Sequence, residues 1–287
     1  MKNNCVLCPV RCGADRDSSV GYCGEKNKMR IAKYYLHQFE EPVITGKNGS
    51  GTVFFCGCSL KCVFCQNYPL SRSETGKEIS PEELAEIFKA LEDAGATNIN
   101  LVTPTHFAPL IRDAYKIYRP KIPTVYNTHS YEPVETLKIL EDCIDIYLPD
   151  LKFFSPDISF RYTKKRDYFK VAAKAIKYMM SAKKTTIDNG VMQSGVIVRH
   201  MIMPLCVEDS KSIVRWFADN KENGAYFSLM AQYTPYGNVK DYPELNRPIT
   251  AREYERVYEE LLSADITEYF IQELRSSSES FIPKWDF

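Results

Sequence analysis

The stretch from Gly51 to Tyr68 reads GTVFFCGCSLKCVFCQNY, and it decides the fold. Its residues 52–55 (TVFF) are β-branched and aromatic, which is typical of a short buried strand. The strand leads directly into Cys58, Cys62 and Cys65, which have the spacing C-x3-C-x2-C. In α/β folds, ligands bind at the carboxyl ends of the strands. We therefore predict that these three thiols form a ligand site.

Three clustered thiols suit a cubane iron–sulfur cluster in which three irons are bound by thiolates and the fourth iron is open to another ligand. The alternative is a zinc knuckle completed by Cys56, which would place four sulfurs within ten residues. Structural zinc sites usually join two separated pairs of ligands, so the spacing favours the cluster. Cys56 is then a spare packing thiol at the end of the strand.

The cysteine spacing resembles the signature of the radical S-adenosylmethionine (SAM) superfamily. The resemblance implies that the amino and carboxylate groups of SAM chelate the fourth iron of a [4Fe–4S] cluster. An electron from the reduced cluster would then break the S–C5′ bond of SAM and release a 5′-deoxyadenosyl radical. Phe64, just before the third cysteine, matches the aromatic position that lies near the adenine in this superfamily.

A second group of cysteines lies in residues 1–50, which we predict to form a separate N-terminal segment. Cys5, Cys8, Cys12 and Cys23 have the spacing C-x2-C-x3-C-x10-C. The segment has too few apolar residues for a hydrophobic core, and such segments usually need a metal to fold. Four thiolates favour structural zinc, with a rubredoxin-like iron or an auxiliary iron–sulfur cluster as alternatives. Free thiols without any metal, or one pair of thiols plus two packing residues, are the remaining possibilities.

Residues 51–274 alternate between strand and helix patterns, which predicts a parallel sheet. The predicted strands are residues 52–55, 99–102, 123–126, 144–148, 195–203 and 226–231. The predicted helices begin near residues 81, 110, 168, 210 and 251, the first and last of them with capping boxes. This gives six strand–helix units and hence an α/β fold, a partial (β/α)6 TIM-like barrel with its site at the carboxyl edge. Residues 275–287 form a C-terminal tail.

The composition excludes several classes of protein. Lys+Arg and Asp+Glu both number 37, so the formal net charge is zero, which argues against a nucleic-acid partner held by a basic face. No apolar run is long enough for a membrane span, and the start lacks the apolar region of a signal peptide. The ten cysteines fit a reducing cytoplasm, where clustered thiols bind metals. We expect a cytoplasmic protein.

Five later motifs narrow the resemblance from the whole superfamily to one of its branches. In chain order they are LVTPTH, YNTHSYE, DIYLPDLK, VIVRHMIMP and SLMAQYTP. They are similar to the pyruvate formate-lyase activating enzyme branch of the superfamily, most of all to its subgroup with an added N-terminal cysteine segment. The resemblance implies that the chain abstracts hydrogen from a backbone glycine of a partner glycyl-radical enzyme. It also implies a flavodoxin- or ferredoxin-type electron donor.

The same branch implies contacts to SAM. Its Gly-Gly-Glu motif, which binds the SAM amino group, is replaced here by a Thr-Pro-Thr sequence with neither a glycine pair nor an acid. Thr103 and Thr105 could still accept a hydrogen bond from the ammonium, but without charge assistance. Asn127 and Thr128 are candidates for contacts to the SAM ribose, with a turn-forming Asn as the alternative.

Asp150 and Lys152 match the Asp-x-Lys motif of the activating enzymes. Residues two apart on a strand share a face, so both charges can enter the barrel mouth together. Lys152 is expected to offset the SAM carboxylate. Asp150 is expected to pair with Lys152 or to help bind a monovalent cation beside Asn127 and Thr128. A purely structural ion pair is the alternative.

Arg199 falls where the branch has an arginine near SAM. Because neighbouring side chains alternate on a strand, only one of Arg199 and His200 can face the interior, and we expect His200 to be structural. His106 and His129 lie at strand ends and are candidates for contacts to substrate or SAM, since histidine can donate, accept and titrate near neutral pH.

Besides Cys56, two cysteines stand outside both groups. Cys206 follows a strand end, where it could donate hydrogen to a radical, although a buried spare thiol is the commoner outcome. Cys143 is expected to pack in the core.

Two rival functions remain open on the sequence. The first is another radical SAM reaction, on a small molecule or on a different peptide. The second is not an enzyme but a metal-binding or electron-carrier protein that uses both groups of cysteines.

Overall fold

The structure, a computed structural model, describes residues 4–72 and 75–274. The strands in this part of the chain are β1 (Met29–His37), β2 (Ser50–Phe55), β3 (Lys77–Ile79), β4 (Ile99–Val102), β5 (Thr124–Thr128), β6 (Ile146–Pro149), β7 (Thr186–Asp188), β8 (Val191–Met201), β9 (Tyr226–Met230) and β10 (Tyr269–Ile271). The α-helices are α1 (Pro42–Thr45), α2 (Tyr68–Ser71), α3 (Pro81–Asp93), α4 (Ala108–Ile117), α5 (Val134–Leu137), α6 (Pro156–Thr163), α7 (Tyr168–Ala182), α8 (Val207–Asn220) and α9 (Ala251–Ser263). None of these helices has both the length and the apolar character that crossing a bilayer requires.

One sheet organises the fold. Seven strands run parallel in the order β2-β4-β5-β6-β8-β9-β10, β1 lies antiparallel beside β2, and β3 lies antiparallel beside β1. Strand β7 forms an antiparallel pair with β8. The end strands β3 and β10 do not pair with each other within residues 4–72 and 75–274. The sheet is therefore an open, partial barrel.

The predicted α/β class and its alternation are confirmed. The six predicted strands correspond to β2, β4, β5, β6, β8 and β9, and the five predicted helices correspond to α3, α4, α7, α8 and α9. Both predicted capping boxes are present. The side chains of Ser80 and Thr250 accept from the backbone of the third helical residue, and the Glu side chains at that residue bond back to the cap.

Strands β1, β3, β7 and β10 were not predicted from the sequence. β1 lies within residues 1–50 and pairs with β2 from Ile31 opposite Phe55 to His37 opposite Ser50. Its apolar residues do not alternate cleanly, since Lys33 takes the next alternate position after Met29 and Ile31 and residues 34–36 are all apolar or aromatic, so the period of two is weak. The boundary drawn at residue 50 stays a prediction, and the predicted tail at 275–287 lies outside the described residues.

The interior of the partial barrel is apolar at one end and polar at the other. Its apolar cluster consists of Ile44, Val125, Ile146, Leu148, Met192 and Ile197. Ile44 comes from α1, which packs against β8. Asn127, Asp150 and Arg199 each follow a residue of this cluster by two positions, which places them on the same face of their strands. The polar end is thus the carboxyl edge of the sheet.

The capping box of α9 gives a test of the fold that does not depend on any cofactor. Glu253 accepts hydrogen bonds from Arg247, Thr250 and the backbone N–H of Leu205. The Arg247 guanidinium, ahead of the backbone donors, lowers the pKa of Glu253 to about 2 from an ordinary value of 4.5. A lowered pKa stabilises the fold above pH 4.5, and this contribution is lost as the pH falls toward 2.

We expect Glu253→Gln to lower the free energy of unfolding by about 1–2 kcal/mol at pH 7. The difference from the parent protein should shrink at about pH 3, because the unfolded chain then binds a proton at Glu253 while the folded parent does not, which favours unfolding of the parent. Urea unfolding of metal-free protein measures both values. Glu255→Gln, at an exposed position on the same helix, should change little. A difference that stays the same at both pH values would contradict the assignment.

Candidate active site

A cavity of about 550 Å³ opens at the carboxyl edge of the parallel strands. All of the residues predicted for the cluster and SAM line it except Thr105: Cys58, Cys62, Phe64, Cys65, Thr103, Asn127, Thr128, Asp150, Lys152 and Arg199. The volume lies in the usual range for sites that bind small molecules. The structure therefore brings together side chains from the cysteine loop and from four later strand ends.

The cysteine loop is held by backbone hydrogen bonds on several sides. The N–H of Cys58 donates to the carbonyl of Cys23 (3.0 Å), and the N–H of Val63 donates to the carbonyl of Tyr162 (3.0 Å). Lys61 adopts a left-handed conformation with φ of 56°, which folds the loop between Cys58 and Cys62. These contacts fix where the thiols lie before any ligand binds.

The environment of Cys58 differs from that of the other two thiols. Burial opposes ionisation of Cys58, but the imidazole of His129 outweighs it and lowers the pKa of the thiol to about 7. His129 Nδ1 accepts from the N–H of Tyr131 (3.0 Å), which leaves Nε2 protonated and able to donate. Burial raises the pKa of Cys62 and of Cys65. Of the two predicted histidine contacts, His129 therefore reaches the cavity.

Arg199 is the centre of a buried polar network beside the thiols. Its Nε donates to Asp150 (2.8 Å), Nη1 to Glu40 (3.0 Å) and Nη2 to the side-chain oxygen of Asn127 (2.6 Å). Lys152 Nζ donates to the other oxygen of Asp150 (2.7 Å). The predicted pairing of Asp150 with Lys152 is thus present, and of the two neighbours on β8 it is Arg199 that faces the interior.

The charges of this network support one another. Burial opposes ionisation of Asp150, yet Arg199 and Lys152 outweigh it and lower the pKa of the carboxyl below its ordinary range. Burial likewise disfavours the charged form of Lys152, but Asp150 raises the pKa of the amine. Both groups are therefore charged at neutral pH. Within the described residues, Lys152 Nζ donates one side-chain hydrogen bond, to Asp150. An ammonium has three N–H groups, so two remain for a bound anion.

Two acidic residues in the cavity were not predicted from the sequence. Glu40 accepts from Asn100 (2.9 Å) and Asn127 (3.2 Å) as well as from Arg199. Glu41 is also buried, burial raises its pKa, and its Oε2 has no hydrogen-bond partner in the described part of the chain. Both residues come from the connection between β1 and α1. The cavity therefore contains two acids, although the Thr-Pro-Thr sequence contributes none.

Thr105 was predicted to contact SAM, but its side chain does not line the cavity. Its hydroxyl donates to Glu132 (2.9 Å), which also accepts from Tyr126 (2.6 Å) and from Thr128 (2.5 Å). The reason is the turn at Thr103, where φ is 59° and the chain reverses direction after β4. Thr128 lines the cavity, but its hydroxyl donates its hydrogen bond to Glu132. Thr103 remains the part of this sequence that borders the site.

Several other predicted alternatives lie away from the cavity. The Cys56 thiol donates to the carbonyl of Thr75 (3.3 Å), and burial raises its pKa to about 12, so Cys56 does not complete a four-sulfur knuckle. His106 Nε2 bonds to the carbonyl of Cys56 (2.7 Å) and does not reach the cavity. His200 bonds to the Leu151 carbonyl (2.7 Å), as a structural residue.

The two remaining cysteines also lie outside the cavity. Cys143 packs in the main hydrophobic core, as predicted. Cys206 is buried beside that core, and burial raises the pKa of its thiol to about 12. It is not among the residues that line the cavity, so a role as hydrogen donor gains no support from its position.

The N-terminal cysteines dock directly behind the cysteine loop. The Cys23 carbonyl accepts from Cys58, and Arg16, which is buried, donates to the carbonyls of Glu25 and of His106. The Arg16 guanidinium also lies over the Phe107 ring, 5.5 Å from its centroid. The segment is therefore anchored to the barrel near the end of β4.

The thiols of the N-terminal segment do not surround a single point. Among the described residues, no three His, Cys, Asp or Glu side chains are placed to share one metal ion. A cubane cluster needs no such point, because each thiolate binds a different iron. A single ion at Cys5, Cys8, Cys12 and Cys23 would require these side chains to close around it, and the metal there stays a prediction, as does the monovalent cation.

Comparison with known proteins identifies the family. The profile of the radical SAM superfamily matches residues 52–202. An uncharacterised protein of Methanocaldococcus jannaschii is 31% identical over 265 residues, which cover 89% of this chain and 73% of the relative. The chain therefore belongs to the radical SAM superfamily, and it is an enzyme of that type.

Solved structures share the fold at low identity. SuiB of Streptococcus suis bound to S-adenosylmethionine has a TM-score of 0.54 and 17% identity, and the match covers 78% of this chain and 50% of SuiB. A radical SAM methyltransferase from Sphaerobacter thermophilus has a TM-score of 0.51 and 13% identity, with 78% and 66% covered. The chain thus spans about half the length of SuiB. At these identities the likeness shows the fold alone.

The residues present fit the cluster and the SAM that the family implies. Cys58, Cys62 and Cys65 all border the cavity and leave one iron of a cubane without a protein ligand. Lys152 has donors to spare for a carboxylate. Phe64 borders the same cavity and packs edge-to-face against Phe153, with ring centroids 5.9 Å apart, so its position is fixed.

Replacing Arg199, the centre of the buried network, should strongly lower the stability of the fold. We expect Arg199→Met to lower the free energy of unfolding by about 3–5 kcal/mol, because it leaves buried carboxylates unpaired. Adding Glu40→Gln to Arg199→Met should restore part of the loss. Arg215→Met serves as the control, since Arg215 pairs with Glu260 at an exposed position and should cost less than about 1 kcal/mol. Equal losses for Arg199→Met and Arg215→Met in urea unfolding would refute the coupling.

The N-terminal cysteines allow a second test. We expect Cys8→Ser combined with Cys12→Ser to lower the melting temperature by roughly 5 °C, as a loss of about 2 kcal/mol would in a chain of this size. The visible spectrum of the cluster at Cys58, Cys62 and Cys65 should remain. Loss of SAM cleavage without any loss of stability would instead give the N-terminal metal a part in catalysis or electron transfer.

Proposed function

We propose that this radical SAM enzyme abstracts a hydrogen atom from a backbone glycine of a partner glycyl-radical enzyme. The observation that carries the proposal is the Asp150–Lys152 pair. It sits in the same cavity as the three thiols and within the motif that resembles the activating enzymes. When bound, the cluster and SAM supply the one-electron chemistry that generates the 5′-deoxyadenosyl radical. The protein supplies the binding groups and the enclosure.

The chain's own residues have distinct tasks in this proposal. Cys58, Cys62 and Cys65 hold the cluster, and Lys152 binds the SAM carboxylate. Arg199 acts as a positioning residue, because it fixes Asp150 and through it the Lys152 ammonium. The apolar cluster beneath the polar network excludes water from the amino-terminal end of the barrel. A dry site matters because a carbon radical is easily quenched.

A second candidate function is a radical SAM reaction on a polar small molecule or another peptide. The buried acids Glu40 and Glu41 favour it, because they add polar acidic groups to the cavity that a glycine residue does not need. The electron donor that we propose for either reaction is a flavodoxin- or ferredoxin-type protein in the cytoplasm. A protein without enzymatic activity is disfavoured, since the chain belongs to an enzyme superfamily.

Electron paramagnetic resonance separates the two reactions. Anaerobically reconstituted enzyme is mixed with SAM, dithionite and a candidate glycyl-radical enzyme. A persistent glycyl doublet on the partner supports activation. Release of 5′-deoxyadenosine without a radical on any candidate partner favours the second function.

Single replacement of Cys58, Cys62 or Cys65 by Ala should abolish 5′-deoxyadenosine formation, because two thiolates cannot hold the cubane with one open iron. Cys143→Ala is the matched control, since Cys143 is a buried cysteine outside the cavity and should retain activity. Chromatographic assay of the products measures both. Turnover retained in any of the three variants would contradict the cluster assignment.

A further inference from the structure

The zero net charge hides a cluster of unpaired cations next to the cysteine loop. Lys61, Arg72, Lys164 and Lys165 have no ion pair with any carboxylate in the described ranges 4–72 and 75–274. Together with Tyr22 they form what we call the lysine patch. An unpaired surface cation is common by itself, but four that converge from different parts of the chain create a local positive field.

Tyr22 is the centre of the patch. The ammonium of Lys61 lies 4.7 Å from the centroid of its ring, and that of Lys165 lies 4.3 Å from it. The ring is 37% exposed, so the patch faces solvent. Two like charges against one aromatic ring are held by the π face and not by a counter-ion. The arrangement leaves both charges available to an external anionic group.

Each of the other two cations is linked to one of these lysines, Arg72 by a hydrogen bond and Lys164 by its position in the sequence. Arg72 Nη2 donates to the carbonyl of Lys61 (3.3 Å). Lys164 directly precedes Lys165 in the connection between α6 and α7 and is exposed. Two neighbouring arginines differ in this respect, because Arg161 and Arg166 each pair with a carboxylate. The patch is thus the part of this surface whose positive charge is not neutralised.

The patch adjoins the thiols but not the cavity. Lys61 immediately precedes Cys62, whose side chain is buried and lines the cavity. None of Tyr22, Lys61, Arg72, Lys164 and Lys165 is among the cavity-lining residues of the described chain. The cavity and the patch are therefore separate surfaces that share the cysteine loop. A partner on the patch would reach the cluster by a short path without blocking the entry of substrate.

We propose that the lysine patch docks the acidic one-electron carrier protein that reduces the cluster. In the docked complex one electron passes from the reduced carrier to the oxidised cluster, which leaves an oxidised carrier and a singly reduced cluster. No bond is made or broken in this step. The proposal rests on the proposed radical SAM function, which requires such a donor. Complementary charge speeds the encounter of two proteins and orients them.

The test uses reconstituted enzyme and an acidic flavodoxin as the probe. Lys164→Glu combined with Lys165→Glu reverses two charges of the patch, one on the exposed Lys164 and one on the half-buried Lys165. Lys89→Glu combined with Lys184→Glu is the matched control, because both residues are exposed, lie outside the patch and change the net charge equally. Titration calorimetry at about 50 mM salt gives the dissociation constant, and stopped-flow absorbance gives the rate of cluster reduction.

We expect the patch variant to raise the dissociation constant by about tenfold or more and to slow reduction by the flavodoxin by a similar factor. The control variant should behave as the parent. Salt at about 0.5 M should remove most of the difference, because it screens surface charges. Reduction by dithionite should be unchanged in all three proteins. Lys164→Gln combined with Lys165→Gln provides a milder second variant if the double reversal disturbs folding.

Three outcomes would overturn the proposal. The patch variant could bind flavodoxin as tightly as the parent, or the control variant could lose as much affinity as the patch variant. The patch variant could also bind flavodoxin normally but lose glycyl-radical formation when dithionite is the reductant, which would make the patch a surface for the protein substrate. Failure of the proposed function is distinguishable, because then the parent would not cleave SAM even with dithionite.

Discussion

The site depends on a loop that presents three thiols to one cavity. Strand β2 carries the loop to the carboxyl edge of the sheet, where the Cys23 carbonyl and the Tyr162 carbonyl fix its backbone. A cubane has four irons, so three thiolates leave one metal position for a substrate-derived ligand. We propose that the charged groups of the cavity hold a ligand beside that position and that the apolar cluster keeps water away from it.

The second organising feature is the buried network around Arg199. Arg199 on β8 forms ion pairs with Glu40 from the β1–α1 connection and with Asp150 after β6. The network therefore ties the β1–α1 connection to two of the parallel strands. Burying these charges is costly, and each is stabilised only while its partners are in place. The same network aims Lys152 at the cavity. Stability and ligand binding are therefore coupled through one guanidinium.

Local patterns predicted much of the fold and part of the site. The TVFF strand, the cysteine spacing and the two-residue period of Asp150 and Lys152 are encoded over a few residues, and the structure brings them together as expected. Glu40 could not be predicted, because it meets Arg199 across 159 positions of sequence and lies in no recognisable motif. Thr105 was predicted to face the cavity, but the left-handed turn at Thr103 redirects it toward Glu132.

The central claim is an open iron in a cluster held by three thiolates. The most direct measurement is the electron paramagnetic resonance spectrum of the reduced, reconstituted enzyme, recorded without and with SAM, on protein analysed for iron, sulfide and zinc. The account predicts a [4Fe–4S]⁺ signal at this site whose g-values shift when SAM binds to the open iron. A site filled by zinc, or a cluster whose signal SAM leaves unchanged, would contradict it.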